Sequence, residues 1–370
     1  KSLICDFFEQ SNLTHVFGMS GANIEDLFYE LSKRNRTQII LAKNEYNAAM
    51  MAMGSYLSNK RITAALTTSG AGLMNALPVL AEAYSSEVPF VLISGLIPEE
   101  LHGLGGFQDT SGKSNTIQHM EMFKPCTVFC QTVKNAKDVL ENLTKAFEAA
   151  QKYKRPAALF IPKNIFNQSV HLPSTNLLSK QPPLLLNTHT DTSRKNQVLL
   201  LIDCLLESQS PPMIVLGEEL VHLKDHDVIN KFISITKSKV GVTPVAKGFY
   251  DHSAKSFCGV TGMMGHPSYL KALESSDLVI FIGTRFDFLS RFGMMELLNG
   301  KKIIFINEIY RDLKSLFRNT IADNTKKTIS IHEIQDDLTL FLRALIKELE
   351  IATNTNTNTN TNTNTNTNTN

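Results

Sequence analysis

Short apolar runs alternate with stretches of helical spacing along most of this chain, and that alternation restricts the fold more than any other feature. Runs at residues 15–18, 38–42, 62–67, 89–94 and 157–161 read as strands. Between them, residues 2–11, a stretch opening near Asn23, the segment from Glu45, residues 72–84 and residues 136–152 read as helices. Glu25 and Asp26 suit the positive end of the second of these. Strands separated by helices form a parallel sheet, and strands this apolar require cover on both faces. Residues 171–192 are rich in Ser, Pro, Thr, Asn and Leu, lack periodicity and read as a linker. A second unit spans residues 193–350, with strands expected at 213–216, 239–242, 278–282 and 303–306. The expected fold is α/β: two doubly wound parallel-sheet domains, residues 1–170 and 193–350, followed by a tail at 351–370. The last eighteen residues are nine Thr-Asn dipeptides, too polar to offset the entropy of ordering them, so the tail is expected to be disordered.

Bulk properties remove several classes of function. A chain of 370 residues has room for two cores. A net charge of +2 with no basic cluster gives no field for gathering nucleic acid or an anionic membrane, and no apolar run is long enough to span a bilayer. Five scattered cysteines suit a reducing compartment better than a disulfide framework. Cys126 and Cys130 lie four apart without the further Cys or His pair that a metal site needs, so no metal site is expected, and both read as small buried hydrophobes. The chain opens at Lys1 with no signal-peptide pattern, which reads as a cytoplasmic protein lacking a few residues at its front.

The chemistry-bearing residues occur in the first domain in a definite order. Ile39-Ile40-Leu41-Ala42-Lys43-Asn44-Glu45 ends a β-branched run in a single carboxylate that opens an almost uncharged helix. Such a Glu is expected to be partly desolvated and to favour sharing a proton, although a first-turn Glu is equally stabilised at a surface by the helix dipole. Gly18-Met19-Ser20-Gly21-Ala22-Asn23 precedes it as a strand-to-helix turn. Thr67-Thr68-Ser69-Gly70-Ala71-Gly72-Leu73-Met74-Asn75 follows as a small-residue loop running into a helix, and Gly105-Gly106-Phe107-Gln108-Asp109 lies in a glycine-rich loop. Small-residue turns at helix starts admit a ligand ring close to the backbone and present free N–H groups. The middle loop lacks the Gly-Lys-Ser/Thr ending of a nucleoside triphosphate site.

Together these motifs resemble the pyrimidine-binding domain of thiamine diphosphate-dependent enzymes, specifically the acetolactate synthase and 2-oxoacid decarboxylase superfamily. The resemblance runs from residue 12 to 165 and continues through Pro244-Val245-Ala246-Lys247-Gly248, Gly262-Met263-Met264-Gly265-His266, Gly283-Thr284-Arg285-Phe286-Asp287 and Ile303-Ile304-Phe305-Ile306-Asn307. It implies decarboxylation and carboligation of 2-oxo acids, a lyase or transferase chemistry in a homodimer or larger homo-oligomer. The family's Glu, matched by Glu45, hydrogen-bonds N1′ of the aminopyrimidine and promotes removal of the thiazolium C2 proton. By the same likeness, Gly21 and Ala22 line the reacting centre, Ser69, Gly70 and Asn75 lie beside the aminopyrimidine, and Phe107 and Gln108 face thiazolium and substrate. Glu45 and Gln108 are thus the expected catalytic pair. Gln108 is the better supported of the two loop residues, because an amide in a Gly/Phe loop gains little from burial. In the second domain, Gly262, Gly283 and Arg285 fall on the loops where relatives bind FAD or ADP. Asn307-Glu308 departs from the acidic pair common there, and Met264-Gly265-His266 from the usual Met-His order. Lys247 matches a lysine near the active-site entrance but reads rather as a solvated turn residue, and His266 reads equally as an ordinary loop histidine.

The family's diphosphate-binding domain holds Mg²⁺ through Gly-Asp-Gly and, about two dozen residues later, paired asparagines. No Gly-Asp or Asn-Asn dipeptide occurs in this sequence. Three expectations compete: a split or truncated enzyme whose Mg²⁺-binding domain is supplied by another polypeptide, an inactive remnant, or a nucleotide-binding (FAD or ADP) regulatory module.

Overall fold

The computed structural model describes residues 1–170, 191–223, 225–309, 311–320 and 330–362. Residues 171–190, most of the expected linker, lie outside the described residues. The chain divides into two compact units, Lys1–Leu186 and Asn187–Asn370.

In the first unit α1 (Ser2–Gln10), β1 (His15–Gly18), α2 (Glu25–Leu31), β2 (Gln38–Leu41), α3 (Glu45–Asn59), β3 (Ala64–Thr67), α4 (Ala71–Ser86) and β4 (Val91–Leu96) follow one another. They are followed by α5 (His119–Phe123), β5 (Cys130–Thr132), α6 (Val139–Tyr153), β6 (Ala157–Pro162) and α7 (Lys163–Phe166). The six strands form one sheet in the order β2-β1-β3-β4-β6-β5, every neighbouring pair parallel. Every residue of β3, β4 and β6 is buried, as a sheet covered on both faces demands. Alternate residues feed two separate cores. Val91, Ile93, Leu159 and Ile161 pack with Phe8, Leu27 and Leu143 of α1, α2 and α6. Phe90, Leu92, Ala158 and Phe160 pack with Ala48, Ala52, Ala76 and Leu80 of α3 and α4. The alanines on α3 and α4 let both helices lie close against the sheet.

The second unit contains α8 (Asp191–Glu207), β7 (Met213–Leu216), α9 (Asp227–Thr236), β8 (Lys239–Val242), β9 (Phe257–Val260) and α10 (Pro267–Glu274). It continues through β10 (Leu278–Ile282), α11 (Phe288–Arg291), β11 (Lys302–Asn307), α12 (Leu313–Thr320), β12 (Ser330–Gln335) and α13 (Leu338–Asn362). Its six strands are again all parallel, in the order β12-β11-β10-β7-β8-β9. A buried pair fastens α8 to the end of β12: Arg194 donates to both carboxylate oxygens of Asp336, at 2.5 and 2.8 Å, and the Asp336 side chain is wholly inaccessible.

The α/β class and both parallel sheets agree with the sequence reading. Three strands went unread: β5, whose three residues are half-exposed at a sheet edge, β9, and β12, which carries polar residues on an edge. Helix α13 passes residue 351 and runs to Asn362, into the Thr-Asn repeat. Residues 363–370 lie outside the described residues.

Candidate active site

In the first sheet the chain reverses direction of build between β1 and β3, the place where open parallel sheets leave a crevice at the carboxyl ends of their strands. The turn after β1, the start of α3 after β2 and the loop after β3 all reach this edge. Glu45 is the first residue of α3. Asn44 caps the helix, its side chain accepting from Asn47 N at 2.8 Å, and this fixes where Glu45 points. Glu45 is only 8% exposed. Its Oε2 accepts from Asn75 Nδ2 on α4 at 3.1 Å, while Oε1 has no hydrogen-bond partner among the described residues. Gly72 makes room for that oxygen: a Cβ there would stand 2.6 Å from Oε1 and 2.8 Å from Thr68 Cγ2.

The loop after β3 is tied to its neighbours by a short polar network. Asn23 donates from Nδ2 to Ser69 Oγ at 2.7 Å and from its backbone N to Thr68 Oγ1 at 3.3 Å. Thr68 Oγ1 donates to Gln108 Oε1 at 3.2 Å, and Ser94 Oγ donates to Thr68 O at 3.1 Å. Gln108 lies over Gly70, where a Cβ would be 2.7 Å from the Gln108 Cβ. Gly21 is packed as tightly on Thr68, also at 2.7 Å. Gln108 itself has φ +64°, a left-handed conformation that costs a non-glycine residue about 1–2 kcal/mol and marks a position held by its surroundings.

Two anchors hold the loop that carries Gln108. Asp109 accepts from Gly103 N at 2.7 Å and Ser111 N at 2.8 Å; burial raises its pKa, but these bonds outweigh it and hold the carboxyl below the usual carboxylate range. His119, 5% exposed, places Nδ1 2.7 Å from Thr110 O and Nε2 3.2 Å from Thr132 Oγ1, with its ring against the edge of Phe160. Burial lowers the His119 pKa, and the Thr110 carbonyl opposes that shift only in part.

The structure therefore brings Glu45, Gly21, Ser69, Gly70, Asn75 and Gln108 to one edge. Phe107 is 74% exposed and makes no ring contact among the described residues, and Ala22 is exposed, its carbonyl accepting from Lys163 Nζ at 2.6 Å. Thr68, Asn23 and Gly72 complete the network and were not singled out by sequence, although all three lie inside the motifs that were. In the second unit, His266 caps α10, its Nδ1 accepting from Ser268 N at 3.2 Å, and Lys247 is exposed at the start of a short 3₁₀ helix, Lys247–Phe249. Gly283 and Arg285 follow β10, whereas Gly262 follows β9 and packs on Leu289. Cys126 and Cys130 carry free thiols, and burial raises both pKa values, that of Cys130 to about 11. No group of three or more His, Cys, Asp and Glu residues suited to a metal ion occurs among the described residues, nor is any described helix long and apolar enough to cross a membrane.

Two all-parallel α/β units, the first with a buried carboxylate and a polar network at its switch point, define a doubly wound α/β protein of the kind that offers a crevice at the strand ends. Comparison with known proteins specifies the class. Residues 1–118 match the N-terminal TPP binding domain of thiamine pyrophosphate enzymes, and residues 201–329 match the central domain of the same enzymes. The chain belongs to the thiamine pyrophosphate enzyme family. Among similar proteins, the acetolactate synthase large subunit of Haemophilus influenzae is 26% identical over 311 residues, covering 82% of this chain and 52% of the relative. That of Corynebacterium glutamicum is 27% identical over 283 residues, covering 75% and 43%. The isozyme 3 large subunit of Escherichia coli is 25% identical over 278 residues, covering 74% and 46%. The chain thus spans about half the length of the curated relatives it matches.

Proposed function

We propose that the first unit supplies the aminopyrimidine half of a thiamine diphosphate site, and that the chain takes part in acetolactate synthase-like decarboxylation and carboligation of 2-oxo acids. The single observation that carries this reading is the asymmetric Glu45 carboxylate, with Oε2 held by Asn75 and Oε1 left available beside Gly72. That arrangement fits a heterocycle presenting one ring nitrogen. Thiamine diphosphate, when bound, supplies the electron sink for cleaving the bond next to a 2-oxo group.

The residues then divide the work. Oε1 of Glu45 holds or yields the proton shared with the ring, and burial strengthens that hydrogen bond. Asn75 orients the carboxylate. Gly72 and Gly70 permit close approach of a planar ring, and Ser69 and Gly21 shape the floor. Gln108, oriented by Thr68, offers an amide to the substrate carboxylate or carbonyl. Phe107, exposed beside Gln108, is free to cover a bound substrate, and Ala22 contributes through its backbone.

On this reading the Mg²⁺ and diphosphate ligands come from a diphosphate-binding domain that these residues do not include, and the first unit forms the other half of the site. Five free thiols suit work in the cytoplasm. Calorimetric titration of thiamine diphosphate with Mg²⁺ tests the proposal, with the chain alone and mixed with an acetolactate synthase diphosphate-binding domain. Heat of binding that appears or grows with the added domain is expected. Absence of binding in both arms overturns the enzyme reading and leaves a catalytically silent relative.

A further inference from the structure

The second unit contains its own switch point, between β7 and β10, and there the crevice is already filled by the chain. Two carboxylates follow β7 directly. Glu218 is 4% and Glu219 1% exposed, unusual for residues that belong in water unless they are paired. Glu218 Oε2 accepts from Arg285 N at 2.9 Å. Glu219 Oε2 accepts from Glu308 N at 2.7 Å and its Oε1 from Ile309 N at 3.3 Å, and Arg311 donates to Oε1 as well. These are the backbone donors at the ends of β10 and β11, plus a guanidinium, that an anionic ligand in this crevice would have to use.

The glycines tell the same story. A Cβ on Gly283 would meet Glu219 Cβ at 3.0 Å, and one on Gly217 would meet Thr284 Cα at 2.3 Å. Gly262, on the β9 side, is covered by Leu289, whose carbonyl would stand 1.9 Å from such a Cβ. Each glycine expected to admit a nucleotide is therefore packed against this chain. The backbone closes the same seam: Gly217 N donates to Ile282 O at 2.9 Å and Glu219 N to Gly283 O at 2.7 Å. Asn307 adds one more acceptor, since its buried Oδ1 has no hydrogen-bond partner among the described residues.

We propose that Glu218 and Glu219 are built-in occupants of this crevice and close the second unit to FAD, ADP and other nucleoside diphosphates. A diphosphate entering there would find its donors taken and two carboxylates and an amide oxygen facing it. The residues do not fit the nucleotide that the family resemblance implies, and the second unit acts as a scaffold.

Titration of the full chain with FAD and with ADP, followed by flavin fluorescence and by calorimetry, tests this. No saturation is expected up to about 1 mM of either ligand. Saturable binding of either in the micromolar range overturns the proposal. A second measurement reads the carboxylates directly: Glu219→Gln weakens the hold on Arg311 and the two backbone donors, so its melting midpoint drops and guanidine midpoint falls with it. Unchanged midpoints would show that Glu219 is not the internal occupant, and would equally overturn the proposal. Neither experiment involves Glu45, so either result leaves the reading of the first unit standing or falling by its own titration.

Discussion

Substituting Ala for Gly72 puts the geometry of the Glu45 site to a quantitative test. Gly72 lies in the first turn of α4 with ordinary helical backbone, so Ala should help the helix by about 1 kcal/mol. Its Cβ, however, would sit 2.6 Å from Glu45 Oε1, 3.2 Å from Glu45 Cδ and 2.8 Å from Thr68 Cγ2. Glu45 cannot simply swing aside, because Asn75 holds Oε2 and a bond to a charged group is worth about 1.5–3 kcal/mol. Overpacking of this kind costs about 1–3 kcal/mol. The net expectation is a loss of about 0–2 kcal/mol, read as a fall of up to about 8 °C in the melting midpoint of a unit this size. The diagnostic experiment repeats Gly72→Ala in a Glu45→Ala background and compares the two by calorimetry. With the carboxylate gone only the Thr68 contact remains, so the loss should shrink by about 1 kcal/mol or more. Equal losses in both backgrounds would refute the claim that Gly72 exists to house the carboxylate.

Other consequences are as specific. His119 has a lowered pKa in the folded chain, so the unfolded state binds its proton first as pH falls and stability is lost below about pH 6.5. Thermal unfolding between pH 7 and 5, where ordinary carboxylates stay ionised, should therefore show falling stability to which His119 contributes a slope of at most about 1.4 kcal/mol per pH unit, beside a share from His332, whose pKa burial also lowers, and His119→Gln should remove the first share. Asp336→Ala removes the carboxylate that two N–H groups of Arg194 reach in a buried site and should destabilise the second unit by up to about 3–5 kcal/mol, with the first unit's transition unmoved in a two-transition melt.

How far the sequence revealed these features follows from burial. β7, β8 and β10 appear at the bounds their apolar runs suggest, because each inner strand must be apolar along its whole length. β5 and β12 hid because edge strands carry Gln131, His332 and Glu333 without penalty. The grouping of Glu45, Ser69, Asn75 and Gln108 was legible only through the resemblance to thiamine diphosphate-dependent enzymes, since each small-residue turn alone reads as an ordinary strand-to-helix connection. The part of Thr68 was not: a threonine after a strand looks ordinary until Asn23 and Gln108 are seen to meet at its hydroxyl. Glu218-Glu219 reads as a surface acid pair in one dimension, and only the partners at the ends of β10 and β11 show why it is buried.

The most direct test of the account is saturation-transfer NMR of thiamine diphosphate with Mg²⁺, recorded on the native chain and on Glu45→Gln. This method detects binding as weak as about millimolar, the range expected of half a site. The account predicts that saturation reaches the aminopyrimidine protons more strongly than the thiazolium protons in the native chain, and that Glu45→Gln, at unchanged fold, abolishes that preference. Equal transfer to both rings, or an identical pattern in the variant, would contradict the assignment of Glu45 to the pyrimidine ring.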